Sequence, residues 1–138
     1  MDRMNGADDE GSILPLTIGY ALLAIVLILV CVDATSLYLA HKRTEAIADT
    51  AALAGSDGFE LAGDADAPVL RLTDADVEAQ ASEIVAVYGS ASLVDARTPD
   101  GASARVTVST LWRPPIMTLF VPDGVTLQAT ATSRTALR

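Results

Sequence analysis

Residues 13–32 read ILPLTIGYALLAIVLILVCV, twenty consecutive positions without a formal charge. A helix of this length rises about 30 Å, which matches the hydrocarbon thickness of a bilayer. The run therefore predicts a single transmembrane helix over residues 12–34, close to the N-terminus. We expect residues 1–11 to form a flexible acidic tail and residues 35–138 to form one folded domain outside the membrane.

The overall charge limits the classes of partner. The chain has 138 residues with 9 Lys and Arg against 18 Asp and Glu, a formal net charge of −9. Nucleic-acid binding depends on clustered Lys and Arg, so this acidic balance argues against a nucleic-acid partner. Cys31 is the only cysteine and lies inside the apolar run, so the chain cannot form an internal disulfide.

A cleaved secretory signal is the alternative interpretation of the apolar run. The sequence Val32-Asp33-Ala34 satisfies the small-residue rule for cleavage, which would release a secreted domain after Ala34. However, the run is longer than the usual apolar region of about 7–15 residues in a signal peptide. The residues before it carry one base, Arg3, against four acids. We therefore expect an uncleaved anchor.

Helical character continues beyond the apolar run. Residues 33–54 contain neither Pro nor Gly, and small or apolar side chains recur there at helical spacing. This stripe consists of Leu37, Ala40, Thr44, Ile47, Ala48, Ala51 and Ala54. It predicts that one helix of about forty residues leaves the membrane and packs against the domain, and that Gly55 and the residues after it end this helix.

A second helix is predicted in the middle of the chain. Thr73 and Asp76 have the spacing of a capping box, with Asp in place of Glu. Val77, Ala81, Ile84 and Tyr88 then follow at helical spacing. The pattern indicates a helix of about fifteen residues that ends at Gly89.

Strands account for most of the remaining chain. We expect short strands at residues 69–73 and 93–97, and longer ones at 102–112 and 125–135, where apolar and polar residues alternate. Ala104, Val106 and Val108 are expected to face the core, as are Val125, Leu127, Ala129 and Ala131. Residues 59–68 are interpreted as a loop. The fold class is therefore α+β: a long N-terminal helix packed on a second helix and a small antiparallel sheet.

No residue pattern indicates an enzyme. His41 is the only histidine, and with Lys42 and Arg43 it forms a strip typical of an interfacial anchor. Zinc would need clustered Cys or His. The acid pairs at 64/66 and 74/76 lack the spacing of a calcium loop, and the sequence has no glycine-rich phosphate loop. We expect no catalytic residue, metal, cofactor or small-molecule substrate.

Two places depart from an ordinary surface and are the candidate interaction sites. Within the apolar run, Gly19 and Ala24 allow the close approach of another helix. Asp33 at the edge of the run either marks the membrane interface or pairs with a cation of a neighbouring subunit. Both interpretations are open from the sequence.

The second candidate site lies between the last two strands. Pro114-Pro115 interrupts the strand pattern there, and the connection concentrates bulky apolar side chains. These are Trp112, Ile116, Met117, Leu119 and Phe120. They either cover the end of the sheet or form a docking patch for a partner or the membrane surface.

The order of these features resembles the TadE/TadG-like proteins of tight-adherence (Flp-type) pilus loci, in particular the short actinobacterial type. The resemblance rests on Gly11-Ser12, the apolar run, Asp33-Ala34 and the stretch SLYLAHKRTEAIADTAALAG at residues 36–55. In that family a helix continues out of the membrane with a basic pair and ends in an Ala-Asp-x-Ala-Ala-Leu-Ala pattern, as residues 48–54 read here. The resemblance implies a membrane-anchored minor pilin-like or pilus-assembly component that contacts other pilus subunits or a second copy of itself.

Processing and topology are the remaining expectations. Pilin-type leaders are cut after a Gly with a Glu at the fifth mature position, whereas the fifth residue after Gly11 is Leu16. The chain thus fits family members that stay anchored. Lys42 and Arg43 alone would favour a cytoplasmic domain, but the resemblance implies the opposite. We expect a single-pass cell-membrane protein with an extracytoplasmic C-terminal domain; a membrane-tethered binding domain unrelated to pili is the alternative.

Overall fold

Two helices and five strands make up the described part of the chain, which comprises residues 10–58, 60–62 and 69–134 of this computed structural model. The elements in chain order are α1 (Glu10–Ser56), β1 (Glu60–Ala62), β2 (Val69–Arg71), α2 (Asp74–Tyr88), β3 (Ala91–Arg97), β4 (Ser103–Trp112), a 3-10 turn (Met117–Leu119) and β5 (Val125–Arg134). The predicted α+β class is confirmed. The expected flexible tail falls mostly on residues 1–9, which lie outside the described residues.

The first helix, α1, runs for 47 residues without a break. At 1.5 Å per residue it is about 70 Å long. It is long and apolar enough to cross a membrane, and every side chain of residues 13–32 is exposed. The helix begins at Glu10, slightly before the expected start at Ser12, and Pro15 lies in its second turn.

The predicted stripe on the second half of α1 is confirmed over its central part. Thr44, Ile47, Ala48 and Ala51 are all buried. Leu37 lies at the edge of the covered side and is 37% exposed. The buried residues pack in one core with α2 and the sheet, which confirms that the helix continues out of the apolar run and into the domain.

Strand β4 is the centre of a three-stranded antiparallel sheet with the order β3-β4-β5. Its residues Ala104, Val106 and Val108 are fully buried, as the alternation predicted. Across the sheet Val106 pairs with Ala131 and Val108 with Ala129. Small side chains on both surfaces let α1 approach the sheet closely.

The second helix, α2, confirms the predicted capping box. The Asp76 N–H donates to Thr73 Oγ1 at 3.3 Å, and the Thr73 N–H donates to Asp76 Oδ2 at 3.0 Å. Gly89 ends the helix with φ of 59°, a left-handed conformation that favours glycine. Val77, Ala81 and Val85 face the core.

The small hairpin differs from the predicted strand assignment. Glu60–Ala62 pairs with Val69–Arg71 as a small antiparallel hairpin, so the prediction of a loop was wrong for these three residues. A three-residue strand of mixed polarity is too short to show a period of two. Residues 59 and 63–68, also assigned to that loop, lie outside the described part.

The start of β5 is less buried than its alternation predicted. Val125 is 42% exposed and Leu127 is half-buried, whereas Ala129 and Ala131 are buried. Val125 pairs with Trp112 at the end of the sheet. There the Trp112 side chain reaches α1 and donates a hydrogen bond to Ser36.

Candidate functional site

Parts of the two candidate sites, Asp33 of the first and the connection between β4 and β5 of the second, meet in the structure. Asp33 Oδ1 accepts a hydrogen bond from the Ile116 N–H at 3.2 Å. One turn further along α1, Trp112 Nε1 donates to Ser36 Oγ at 3.1 Å. We call these four residues the junction. It attaches the connection between β4 and β5 to the helix immediately after the apolar run ends.

Asp33 is the buried polar residue of the junction, with 6% of its surface exposed. Its second carboxylate oxygen, Oδ2, is buried and has no hydrogen-bond partner among the described residues. Buried carboxylate oxygens are normally paired, so Oδ2 is an unsatisfied acceptor at the end of the domain nearest to the apolar run. The prediction that Asp33 pairs with a cation of a neighbouring subunit stays a prediction; within this chain Asp33 fixes the position of Ile116.

The connection itself, residues 113–124, is called the tip loop here. Thr118 Oγ1 donates to the Pro114 carbonyl at 2.6 Å, and the Phe120 N–H donates to the Met117 carbonyl at 2.9 Å. Gly124 has φ of 73°, and a Cβ at this position would lie 2.5 Å from the Trp112 carbonyl oxygen. Only glycine fits there without displacing the end of β4, so Gly124 closes the loop.

The apex of the tip loop exposes large apolar side chains. Leu119 is 92% exposed and Phe120 is 80% exposed, while Met117 and Ile116 are 41% and 38% exposed. Pro114 is buried. Leu119 and Phe120 therefore do not cover the end of the sheet, which was one of the two interpretations of the sequence. The internal hydrogen bonds of the loop hold these two side chains outward.

The domain lies along the second half of α1, and the tip loop is at the end where that half begins. Beyond the junction, toward the C-terminus of α1, the helix contacts the sheet again. The hydroxyls of Thr44 and Thr110 are 2.6 Å apart, and those of Ser56 and Ser133 are 3.3 Å apart. Asp33 and Ser56 are separated by about 35 Å along the helix axis. The tip loop is thus the part of the domain that lies nearest to the apolar run.

A shallow groove of about 570 Å³ opens beside Trp112, with Arg43, Tyr88 and Arg113 among its lining residues. Neither arginine forms an ion pair with any residue in the described ranges. Lys42, in contrast, lies 2.6 Å from Glu45. The hydrogen bond between them raises the pKa of Lys42 and lowers the pKa of Glu45. Arg43 is therefore the cation of the basic strip that remains open to an external anion.

The sequence matches the Flp pilus-assembly TadE/G-like family over residues 11–81, just over half of the chain. The chain belongs to this family. The match covers α1, both strands of the small hairpin and the first half of α2, and it leaves the three-stranded sheet and the tip loop outside. No curated protein and no solved structure matches the chain. The predicted resemblance is confirmed.

The small residues of this TadE/G-like chain, Gly19 and Ala24, both lie in the exposed apolar half of α1. A spacing of five residues places them about 140° apart around a helix of 3.6 residues per turn. Asp33 lies within about 40° of Gly19 by the same geometry, so Gly19 is on the side of the tip loop. One neighbouring helix would therefore contact Gly19 or Ala24 closely, and not both.

The acids considered for calcium have structural roles where the TadE/G-like chain is described. Asp74 Oδ1 accepts the Thr98 N–H at 2.7 Å, and Asp76 caps α2. Asp64 and Asp66 lie outside the described residues. Within the described ranges, no group of three or more His, Cys, Asp or Glu side chains is arranged to hold a metal ion.

The contact between Asp33 and Ile116, which are 83 positions apart, was not predicted from the sequence. The partner of Asp33 is a backbone N–H, and every residue except Pro carries one. No residue type in the tip loop marks that contact in advance. The one available signal was Pro114-Pro115, which shows where the strand must end and a connection must begin.

Proposed function

We propose that this TadE/G-like chain is a non-enzymatic, single-pass membrane protein that acts as a minor pilin-like or pilus-assembly component through protein–protein contacts. The observation that supports this most is the shape of α1. Its apolar half is exposed at every position, and the same helix enters the core of the domain without a break. A large apolar side chain left in water is about 1.5–3 kcal/mol less stable than a buried one. The apolar half is therefore suited to lipid and to other apolar helices.

The domain is proposed to lie on the extracytoplasmic side of the cell membrane. Membership of a pilus-assembly family supports this orientation, since the subunits of a pilus assemble outside the cell. Lys42 and Arg43 would favour the opposite orientation by the positive-inside rule. Lys42 is engaged by Glu45, which weakens that argument.

Two contact surfaces are proposed, one for other subunits and a second for either another subunit or the membrane surface. In the bilayer, Gly19 and Ala24 lie on different sides of α1 and can each receive a neighbouring helix. Asp33 is proposed to accept a donor from such a neighbour, which requires the junction to open locally because Oδ2 is buried within the single chain. Outside the bilayer, the tip loop with Trp112, Ile116, Met117 and Phe120 is the second contact surface.

The alternative of a secreted domain released after Ala34 is disfavoured by the junction. Cleavage there would cut α1 in the middle of the helix and remove Asp33, which holds the Ile116 N–H. A membrane-tethered binding domain remains the second candidate, and the groove beside Trp112 favours it. Retention of a soluble ligand by the full chain would support that candidate.

Photo-crosslinking from the apolar half of α1 tests the proposal. A photoreactive residue replaces Gly19, Ala24 or Ile25 in the full chain, in cells that produce the complete pilus-assembly machinery. Ile25 is the matched control because it lies at the same depth and more than about 90° from both small residues. We expect adducts with another pilus component or a second copy from Gly19 or Ala24, and few from Ile25. Adducts from none of the three positions would contradict assembly through the helix.

A further inference from the structure

We propose that the tip loop docks on the surface of the membrane that holds α1, with Leu119 and Phe120 inserted at the boundary between lipid headgroups and acyl chains. This inference rests on the proposed placement of α1 in a bilayer and names the partner of the second contact surface. It starts from the exposure of the two side chains, 92% and 80%.

The exposed apolar side chains of the tip loop are contiguous and held in place. Ile116, Met117, Leu119 and Phe120 follow one another closely in the chain and all have substantial exposed surface. The Val121 N–H donates to the Met117 carbonyl at 3.0 Å, which fixes the turn that presents them. An exposed apolar cluster on a hydrogen-bonded loop is typical of a docking surface, whereas a single exposed residue such as Val87 on α2 is not.

The position of the tip loop along α1 favours lipid as the partner of the loop. Ile116 is bonded to Asp33, the first charged residue after the apolar run. If residues 13–32 span the hydrocarbon core, Asp33 lies where the headgroup region begins, and that region extends about 5–7 Å further. Ser36 is about 4.5 Å beyond Asp33 along the axis. Trp112, which donates to Ser36, then lies within the headgroup layer, where Trp is enriched in membrane proteins.

The charges around the loop agree with this placement. The tip loop contains one base, Arg113, and one acid, Asp123, so apolar insertion and not net attraction is its main contribution. Arg113 and Arg43 line the groove beside Trp112 without an ion pair in the described ranges. Lipid phosphates are the anions that the Arg113 guanidinium would meet at this height. Arg43 lies about 15 Å beyond Asp33 along the helix axis and is therefore past the headgroup layer.

The size of the patch favours lipid over a protein partner. A standard protein–protein interface buries about 800 Å² on each partner, from some 20–30 residues. Four neighbouring side chains on one loop provide much less than this. The patch is also adjacent to the apolar half of α1, which requires the same surroundings.

Fluorescence quenching by brominated phosphatidylcholine tests the inference. The full chain with Cys31→Ser is reconstituted in vesicles and carries an environment-sensitive dye at Phe120→Cys, Leu23→Cys or Val87→Cys. Leu23 reports the centre of the apolar run, and Val87, 82% exposed on α2, reports an apolar position away from the loop. We expect blue-shifted emission and strong quenching at Leu23 and Phe120, and neither at Val87.

Each other result of this quenching experiment contradicts a different part of the proposal. Quenching at Leu23 with a Phe120 dye that behaves like the Val87 dye would overturn the docking of the tip loop and leave the membrane anchor intact. A dye at Leu23 that is not quenched would overturn the membrane placement and the docking together. A Phe120 dye that is shielded from water but unquenched, and that becomes exposed when protein is diluted in lipid, would show a second copy in place of lipid.

A dye-free version moves the only tryptophan of the chain to the tip loop. Trp112 itself is bonded to Ser36 on α1, so its own depth does not report on insertion of the loop. We expect a chain with Trp112→Phe and Phe120→Trp to be strongly quenched by brominated lipid, and a chain with Trp112→Phe and Val87→Trp not to be. Equal quenching of the two chains would overturn the inference.

Discussion

The two halves of α1 are one continuous helix, yet their side chains have opposite surroundings. In residues 13–32 the side chains are mostly large and apolar, and all are exposed. In the second half the fully buried side chains are small, such as Thr44, Ala48 and Ala51. Large side chains suit fluid lipid, while small ones let the helix backbone approach the sheet. The comparison shows that residue size and spacing, more than hydrophobicity, locate the core of this domain.

The second half of α1 approaches the domain closely at Gly55. A Cβ added there would lie 3.0 Å from Val77 Cγ1 and 3.3 Å from Ala104 Cβ. In the first half, a Cβ added at Gly19 would meet nothing within 4 Å. The same residue type thus permits tight packing within the domain at one position and leaves an open helix surface at the other.

The largest expected effect is on membrane insertion, and it distinguishes a carboxylate introduced into the apolar half of α1 from one introduced into the second half. Leu22→Asp places a carboxylate at the centre of the apolar run, where it disfavours membrane insertion by about 2.5–3.5 kcal/mol. Leu53→Asp is the matched control, because Leu22 and Leu53 are 59% and 58% exposed. Only Leu22→Asp should lower the fraction of chain that resists carbonate extraction from membranes. Equal extraction of the two variants would show that the halves do not differ in their surroundings.

A smaller effect is expected from enlarging one alanine in each half. Ala51 is fully buried, so Ala51→Leu overpacks the core and should destabilise the domain by about 1–3 kcal/mol. Ala24→Leu, in the exposed half, should leave domain stability unchanged. Denaturant unfolding of the full chain in detergent micelles, followed by Trp112 fluorescence, measures both. An Ala51→Leu variant as stable as its parent would mean that the stripe does not face the core.

The smallest expected effect is the loss of domain stability at low pH through Asp100, in the turn between β3 and β4. Asp100 accepts the Ala102 N–H at 3.0 Å, the Ser103 N–H at 2.6 Å and Ser103 Oγ at 2.9 Å, and it pairs with Arg134. These hydrogen bonds, that from Ala102 first, lower the pKa of Asp100 from 3.8 to about 2. A lowered pKa in the folded state means that the carboxylate stabilises the fold above its ordinary pKa. This contribution is lost as pH falls from 3.8 to about 2.

Thermal unfolding of the domain between pH 5 and pH 2 measures this loss. Asp100→Asn should flatten the pH dependence in that window, by a modest amount because the group is exposed to solvent. Asp49→Asn, on the exposed side of α1, controls for the removal of one negative charge. The helicity of residues 13–32 should not change with either substitution. An Asp100→Asn variant with the parent's pH dependence would contradict the assignment.

Local patterns made most of the fold predictable. The charge-free run predicted the first half of α1, and the small-residue stripe predicted the second half. The spacing of Thr73 and Asp76 predicted the start of α2. Each of these signals lies within a few turns of the chain, where spacing alone carries the information. The strand alternation predicted β4 in the same way.

The junction was not predictable, because it joins distant residues through a side chain and a backbone N–H. The sequence identified Asp33 and the tip loop as unusual but gave no reason to place them together. It also could not decide between burial and exposure for Leu119 and Phe120, since both outcomes fit an apolar connection. Gly19 and Ala24 stay predictions, because their role depends on neighbouring helices.

The unbroken backbone of α1 makes the molecule a lever. From Leu16 to Ser56 the helix contains no proline, which is the commonest cause of a sharp kink in a helix. A tilt of about 10° in the apolar half would carry Ser56, about 35 Å above Asp33, sideways by about 6 Å. Because the sheet is packed along this arm, the whole domain would swing with it. Small forces between neighbouring helices would thus be converted into movements of several ångströms at the far end.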